Sequence, residues 1–128
     1  MSRYPLLLCV LLLLILSAPH AWALEAVDSV ITTAIVDREP VDKVQAFPVA
    51  SGKLYCFTRV VGAEEPTVVY HVWFRGDRLM SRVELAVNSN NWRTWSAKKF
   101  TGDQSGAWRV EIQDAAGNVM QQVDFLLR

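Results

Sequence analysis

The chain has 128 residues, thirteen Lys and Arg against thirteen Asp and Glu, and 52% apolar residues. That charge balance excludes bulk electrostatic attraction to nucleic acid or to an anionic membrane surface. The length allows one ordinary domain with a single core.

Residues 1–23 read as a cleavable export signal. Arg3 gives the positive start, Leu6 to Leu16 is an unbroken apolar run, and Ala21-Trp22-Ala23 is a small-x-small cleavage site. The run is eleven residues, about 16 Å of helix at 1.5 Å per residue, against a hydrocarbon core of roughly 30 Å. It is too short to span comfortably, and no second apolar segment of membrane length follows. Cleavage leaves residues 24–128, 105 residues (128 − 23) with thirteen acids and twelve bases, as a single exported domain of the periplasm or cell envelope. The alternative is an uncleaved signal kept as a membrane anchor. Cys9 leaves with the signal, so the mature chain keeps Cys56 alone and forms no internal disulfide. Cys56 is expected to be a small buried hydrophobe.

The remaining chain predicts an all-β fold, an immunoglobulin-like two-sheet β-sandwich of about seven strands. Val30 to Val36 is β-branched and alternating, and Asp37-Arg38-Glu39-Pro40 ends it. Asp42 to Ser51 is loop, short strand or helical turn. Leu54 to Val61 is apolar on both faces, as a strand covered on both sides is. Thr67 to Phe74 follows the Gly62–Pro66 turn, and Gly76-Asp77 suits a type II′ hairpin with Gly at its first position. Val83, Leu85 and Val87 then alternate with Arg82, Glu84 and Ala86, and Trp92 to Phe100 is the densest aromatic stretch. Trp108 to Gln113 is the cleanest period-two strand, with Trp108, Val110 and Ile112 on the core side. Val119 to Leu127 closes the domain after the Asp114–Asn118 turn.

Several elements share a further likeness. Thr33-x5-Glu39-Pro40-Val41-Asp42, Leu54-Tyr55-Cys56-Phe57-Thr58, His71-x-Trp73, Trp92-Arg93-Thr94-Trp95-Ser96-x-Lys98 and Gly106-x-Trp108-x-Val110 together resemble the bacterial "domain of unknown function 2914" family. The resemblance implies an exported or membrane-tethered bacterial domain with no established activity.

The candidate partner-binding residues are Trp92, Arg93, Trp95 and Lys98, because Trp and Arg dominate binding hot spots and a large rigid ring buries area at little entropic cost. Strict alternation sets Trp92 and Trp95 on opposite faces, one toward the core. Asp37, Glu39 and Asp42 form a carboxylate cluster that can hold Ca²⁺ or, with Arg38 among them, make a salt-bridged turn. His71, flanked by Val69 and Trp73 at alternate positions, is expected as a hydrogen-bonded histidine on the core face. One histidine and one cysteine after residue 23 exclude a blue-copper site. No Gly-x-Ser-x-Gly elbow, phosphate loop or Cys-x-x-Cys pair is present, and no cofactor or catalytic residue is expected. The reading is an exported, non-enzymatic envelope module that docks a protein or envelope polymer. The alternative is a carbohydrate- or calcium-binding domain.

Overall fold

The structure, a computed structural model, describes residues 24–128. The proposed signal, residues 1–23, lies outside the described residues. Ten strands and one 3₁₀ turn (Val49–Ser51) follow in order: β1 Glu25–Thr32, β2 Ile35–Val36, β3 Glu39–Pro40, β4 Ala46–Phe47, β5 Lys53–Val61, β6 Thr67–Arg75, β7 Arg78–Val87, β8 Asn91–Lys99, β9 Gly106–Gln113 and β10 Val119–Leu127. Seven of them are eight residues or longer. They make two stacked sheets, β1-β5-β8 and β4-β10-β9-β6-β7, with β2-β3 as a separate ribbon. All pairings between long strands are antiparallel, and β4 joins β10 in parallel. In immunoglobulin lettering the long strands are A-B-E against G-F-C-C′.

Alternation makes the core. Leu54, Cys56, Thr58 and Val60 of β5 face Val69, His71 and Trp73 of β6 and Trp108, Val110 and Ile112 of β9, all at most 2% exposed. At one end Trp73, Phe100, Trp108 and Phe125 cluster, with centroids 4.9 to 6.3 Å apart and mostly tilted or edge-on planes. These are the geometries the ring quadrupole favours. The immunoglobulin Cys…Trp…Cys arrangement is reduced to Cys56 and Trp73, with Val110 opposite Trp73 on β9.

One local expectation needs correction. Val30–Val36 is not one strand: β1 begins at Glu25 and ends at Thr32, and Ile35–Val36 pairs with Glu39–Pro40 instead. The cause is a turn held by one side chain, since Asp42 accepts hydrogen bonds from the Thr32 hydroxyl (2.7 Å) and from the Thr33 amide (2.9 Å) and hydroxyl. Asp37 and Arg38 at the ribbon tip have φ of 52° and 64°, the two left-handed positions of a type I′ turn. Asp42–Ser51 resolves into loop, the two residues of β4 and the 3₁₀ turn. The Gly76-Asp77 hairpin keeps the expected form, with left-handed φ (56°) at Gly76 and not at Asp77.

The β2-β3 ribbon lies on the outer face of the smaller sheet. That is why Val30 and Phe57, paired across β1 and β5 on the side away from the core, are 8% and 2% exposed. The two-sided burial of β5 comes from the opposing sheet on one side and from this ribbon and the following loop on the other.

Candidate functional site

Strand β8 is the outer strand of the smaller sheet and carries all four candidate docking residues. Its alternation buries Thr94 and Ser96 toward the other sheet. Trp92, on the same side, packs half-buried against the cluster of Val60, Ala63, Val69 and Val87. Arg93 and Trp95 fall on the outer face, where Trp95 stands opposite Phe57 and Arg93 opposite Arg59. The two tryptophans therefore take opposite faces, Trp92 as core margin and Trp95 as half-buried surface. Lys98 returns to the inner side, its ammonium 5.8 Å from the Phe100 ring and 5.7 Å from Trp108, closing the aromatic cluster. The structure thus sets Arg93 and Trp95 on the outer face of β8 and Trp92 and Lys98 on its inner face.

A residue outside that constellation completes it. Arg38, at the ribbon tip, sets its guanidinium 5.5 Å from the Trp92 ring and 5.7 Å from the Trp95 ring. Its Nη2 donates to the Arg93 carbonyl oxygen (3.2 Å). Beside it Glu39 forms an ion pair with Arg93, and Asp28 pairs with Arg59 at 3.1 Å. Like charges directly opposite on neighbouring strands repel, so these two carboxylates offset the Arg59–Arg93 juxtaposition. A shallow concavity of about 410 Å³ lies among Asp28, Glu39, Asp42, Phe57, Arg59 and Arg93.

The three candidate ion ligands are separated in role. Glu39 engages Arg93, Asp42 is saturated by Thr32 and Thr33, and Asp37 stands exposed at the turn. Burial acts to raise the Asp42 pKa, but the hydrogen bonds from Thr33 and Thr32 outweigh it and hold the carboxyl below its ordinary range. Among the described residues no group of three or more His, Cys, Asp or Glu is placed to hold a metal ion.

The other polar feature is internal. His71 of β6 is fully buried, with Nδ1 2.7 Å from Ser96 Oγ on β8 and Nε2 3.1 Å from Thr58 Oγ1 on β5. Trp73 Nε1 donates to Ser96 Oγ at 3.1 Å, and Thr58 Oγ1 lies 3.0 Å from Ser29 Oγ. Indole N–H only donates, so Ser96 Oγ accepts from Trp73. The same oxygen meets His71 Nδ1, Nε2 meets Thr58, and Thr58 meets Ser29, so both ring nitrogens and all three hydroxyls are engaged. The chain ties the two sheets together with every buried group satisfied. Burial pushes the His71 pKa down to about 3, so the ring is neutral. No carboxylate contacts it, and both ring nitrogens are occupied. Cys56 is likewise buried, which drives its thiol pKa upward.

Sequence reasoning missed the outer face of the larger sheet. There Arg82 lies 3.8 Å from the Tyr70 ring centroid and Arg109 4.0 Å from Phe74. Arg109 also meets Glu111 at 3.0 Å. The period-two pattern of β6 marks Tyr70 and Phe74 as outward, but only the register shows which arginines cover them.

Fold and site define an all-β sandwich with a buried hydrogen-bond chain joining its two layers. The family model described as "Protein of unknown function (DUF2914)" matches residues 66–126, which supports the resemblance to that family. It spans β6 to β9 and nearly all of β10, four strands of the larger sheet together with β8. The motifs between Thr33 and Thr58 lie outside the matched stretch. No curated protein matches the chain.

Proposed function

We propose that the chain is an exported, non-enzymatic envelope module that docks a protein or envelope polymer through the outer face of its smaller sheet, centred on Trp95 and Arg93. The observation that carries this reading is a half-buried Trp95 beside Arg93 on a solvent-facing strand, with the Arg38 guanidinium already resting against the ring. Flat aromatic surface next to planar guanidinium groups is the composition of energetic centres in protein interfaces. The non-enzymatic part is supported by the burial of His71 and Cys56, the one described imidazole and the one described thiol, without an adjacent carboxylate. Export rests on the N-terminal pattern of Arg3, the apolar run and the Ala21–Ala23 cleavage site.

The test is retention of an envelope component from detergent-solubilised cell envelopes on immobilised chain. A component held by the wild type and lost on Trp95→Ala and on Arg93→Ala, with unchanged circular dichroism, is expected. Equal retention by all three chains contradicts the assignment of the face. Intact mass of the chain recovered from cells is expected to correspond to residues 24–128.

A further inference from the structure

The edges of the two sheets are treated unequally. β8 is covered at Arg93, whose carbonyl accepts from Arg38 at the ribbon tip. β10 is covered by β4 and by the Leu126 amide donating to Gln45. β1 is bulged at Asp28 (φ 55°), its Ser29 amide is taken by Gln121 and its Ile31 carbonyl by Val44. Such bulges, caps and short covering strands are how sheet proteins prevent edge-to-edge pairing. The fourth edge is bulged only near its start, where Met80 is the extra residue between the Trp73–Ser81 and Phe74–Leu79 pairs, and from Ser81 to Val87 it is regular, with no cap and no covering strand. β7 is the longest strand at ten residues and has neither proline nor lysine. Among the described residues its backbone hydrogen-bonds to β6 and to no other element. Val83 and Leu85 on its inner side stay half-buried, and Leu79 is 55% exposed.

We infer that β7 is an interface for a second copy of this chain, the two β7 strands pairing antiparallel about Val83 to join the larger sheets into one. The occupant follows from charge. In a two-fold antiparallel pair, residues directly opposite share a face, so the axis must pass through a residue. Within the regular run Ser81–Val87, seven residues pair when the axis lies at Glu84 (81–87) and five when it lies at Val83 (81–85). The first sets Glu84 against itself. The second sets Arg82 opposite Glu84 twice, both exposed on the outer face, and cross-strand opposite charges favour the pair where like charges oppose it. The arginine is also pre-positioned, because Arg82 and Glu84 both contact Tyr70 from the same side of β7.

The axis runs perpendicular to the joined sheet, so both smaller sheets lie on the same side of it. If the docking reading holds, the dimer then presents two Trp95 faces in one direction, which raises avidity for a polymeric or dimeric partner. The pairing itself does not depend on that reading.

The test uses the chain as purified from cells, its N-terminus established by intact mass. Sedimentation velocity is expected to show a concentration-dependent dimer. Arg82→Glu should weaken it at least about tenfold, and the exchange R82E/E84R should restore it. Val83→Cys supplies an independent readout. The axis sets this residue against its own copy at about 4.5–5.5 Å between Cα atoms, within disulfide reach. Oxidised glutathione should therefore link Val83→Cys into a covalent dimer. Ser81→Cys should stay unlinked, since its copy is about 13 Å along the strand and Cys56 is buried. A wild type that remains monomeric at millimolar concentration overturns the inference. So does a dimer indifferent to Arg82→Glu, or linkage of Ser81→Cys as fast as of Val83→Cys.

Discussion

His71 Nδ1 and Ser96 Oγ meet at 2.7 Å across the gap between the two sheets. Each belongs to a strand of a different layer, and each holds a second partner, Thr58 for the ring and Trp73 for the hydroxyl. Removing the hydroxyl orphans two buried groups together. Ser96→Ala is therefore expected to lower unfolding free energy by about 2–4 kcal/mol, since an unsatisfied buried polar group costs about 1–3 kcal/mol. Urea denaturation measures it, and a loss under about 0.5 kcal/mol, the ordinary range for surface changes, contradicts the bridging role.

The same ring sets a pH dependence. Its pKa is about 3 in the folded chain against 6.5 when unfolded, so below pH 6.5 the unfolded state binds a proton the folded state refuses. Stability is complete above pH 6.5 and falls as pH drops toward 3, by at most about 1.4 kcal/mol per pH unit. The depressed carboxyls of Asp42, Asp103 and Asp114 act lower, because their stabilisation is lost only as pH falls through the carboxylate range. Between pH 4.5 and 6.5 the slope therefore belongs to His71. The urea midpoint should fall across that window in the wild type and stay flatter in His71→Gln.

Phe57 gives the ribbon a measurable consequence. It points away from the main core yet is 2% exposed, so Phe57→Ala should cost about 3–5 kcal/mol, as core truncations of Phe do. The contacts that hold the ribbon down are exposed and weaker. Arg38→Ala with Glu39→Gln should cost no more than about 1–2 kcal/mol, the sum of a surface ion pair and exposed cation–π contacts. Amide exchange in Ile35–Pro40 should rise in that double variant while β9 is unaffected.

Cys56 should be inert in the native state. Iodoacetamide is expected to label it only at the rate of unfolding, because burial both blocks access and disfavours the thiolate. Rapid labelling of folded protein contradicts the burial.

Much of this architecture is legible in the residues, and the exceptions have physical causes. Period-two alternation in Trp108–Gln113 or in Leu54–Val61 survives because each long strand is read against one continuous face. It also separates Trp92 from Trp95 and marks His71 as a core residue. Two-residue strands have no period, so the β2-β3 ribbon is invisible, and its type I′ tip uses Asp37 and Arg38 where glycine is the usual signal. The bulge at Asp28 breaks the alternation at the start of β1. Contacts set by register are beyond any local pattern: Arg38 reaches Trp95 from 57 residues away (95 − 38), and nothing near Ser96 announces His71.

The docking role of the Trp95 face is tested most directly by photo-crosslinking in living cells, with a benzophenone side chain placed at Trp95, at Arg93 and, as a control on the outer face of the larger sheet, at Gln122. Adducts of one discrete envelope component from positions 95 and 93, and none from 122, are expected. Adducts from Gln122 alone, or from no position in a chain shown to be exported and folded, contradict a partner seated on the smaller sheet.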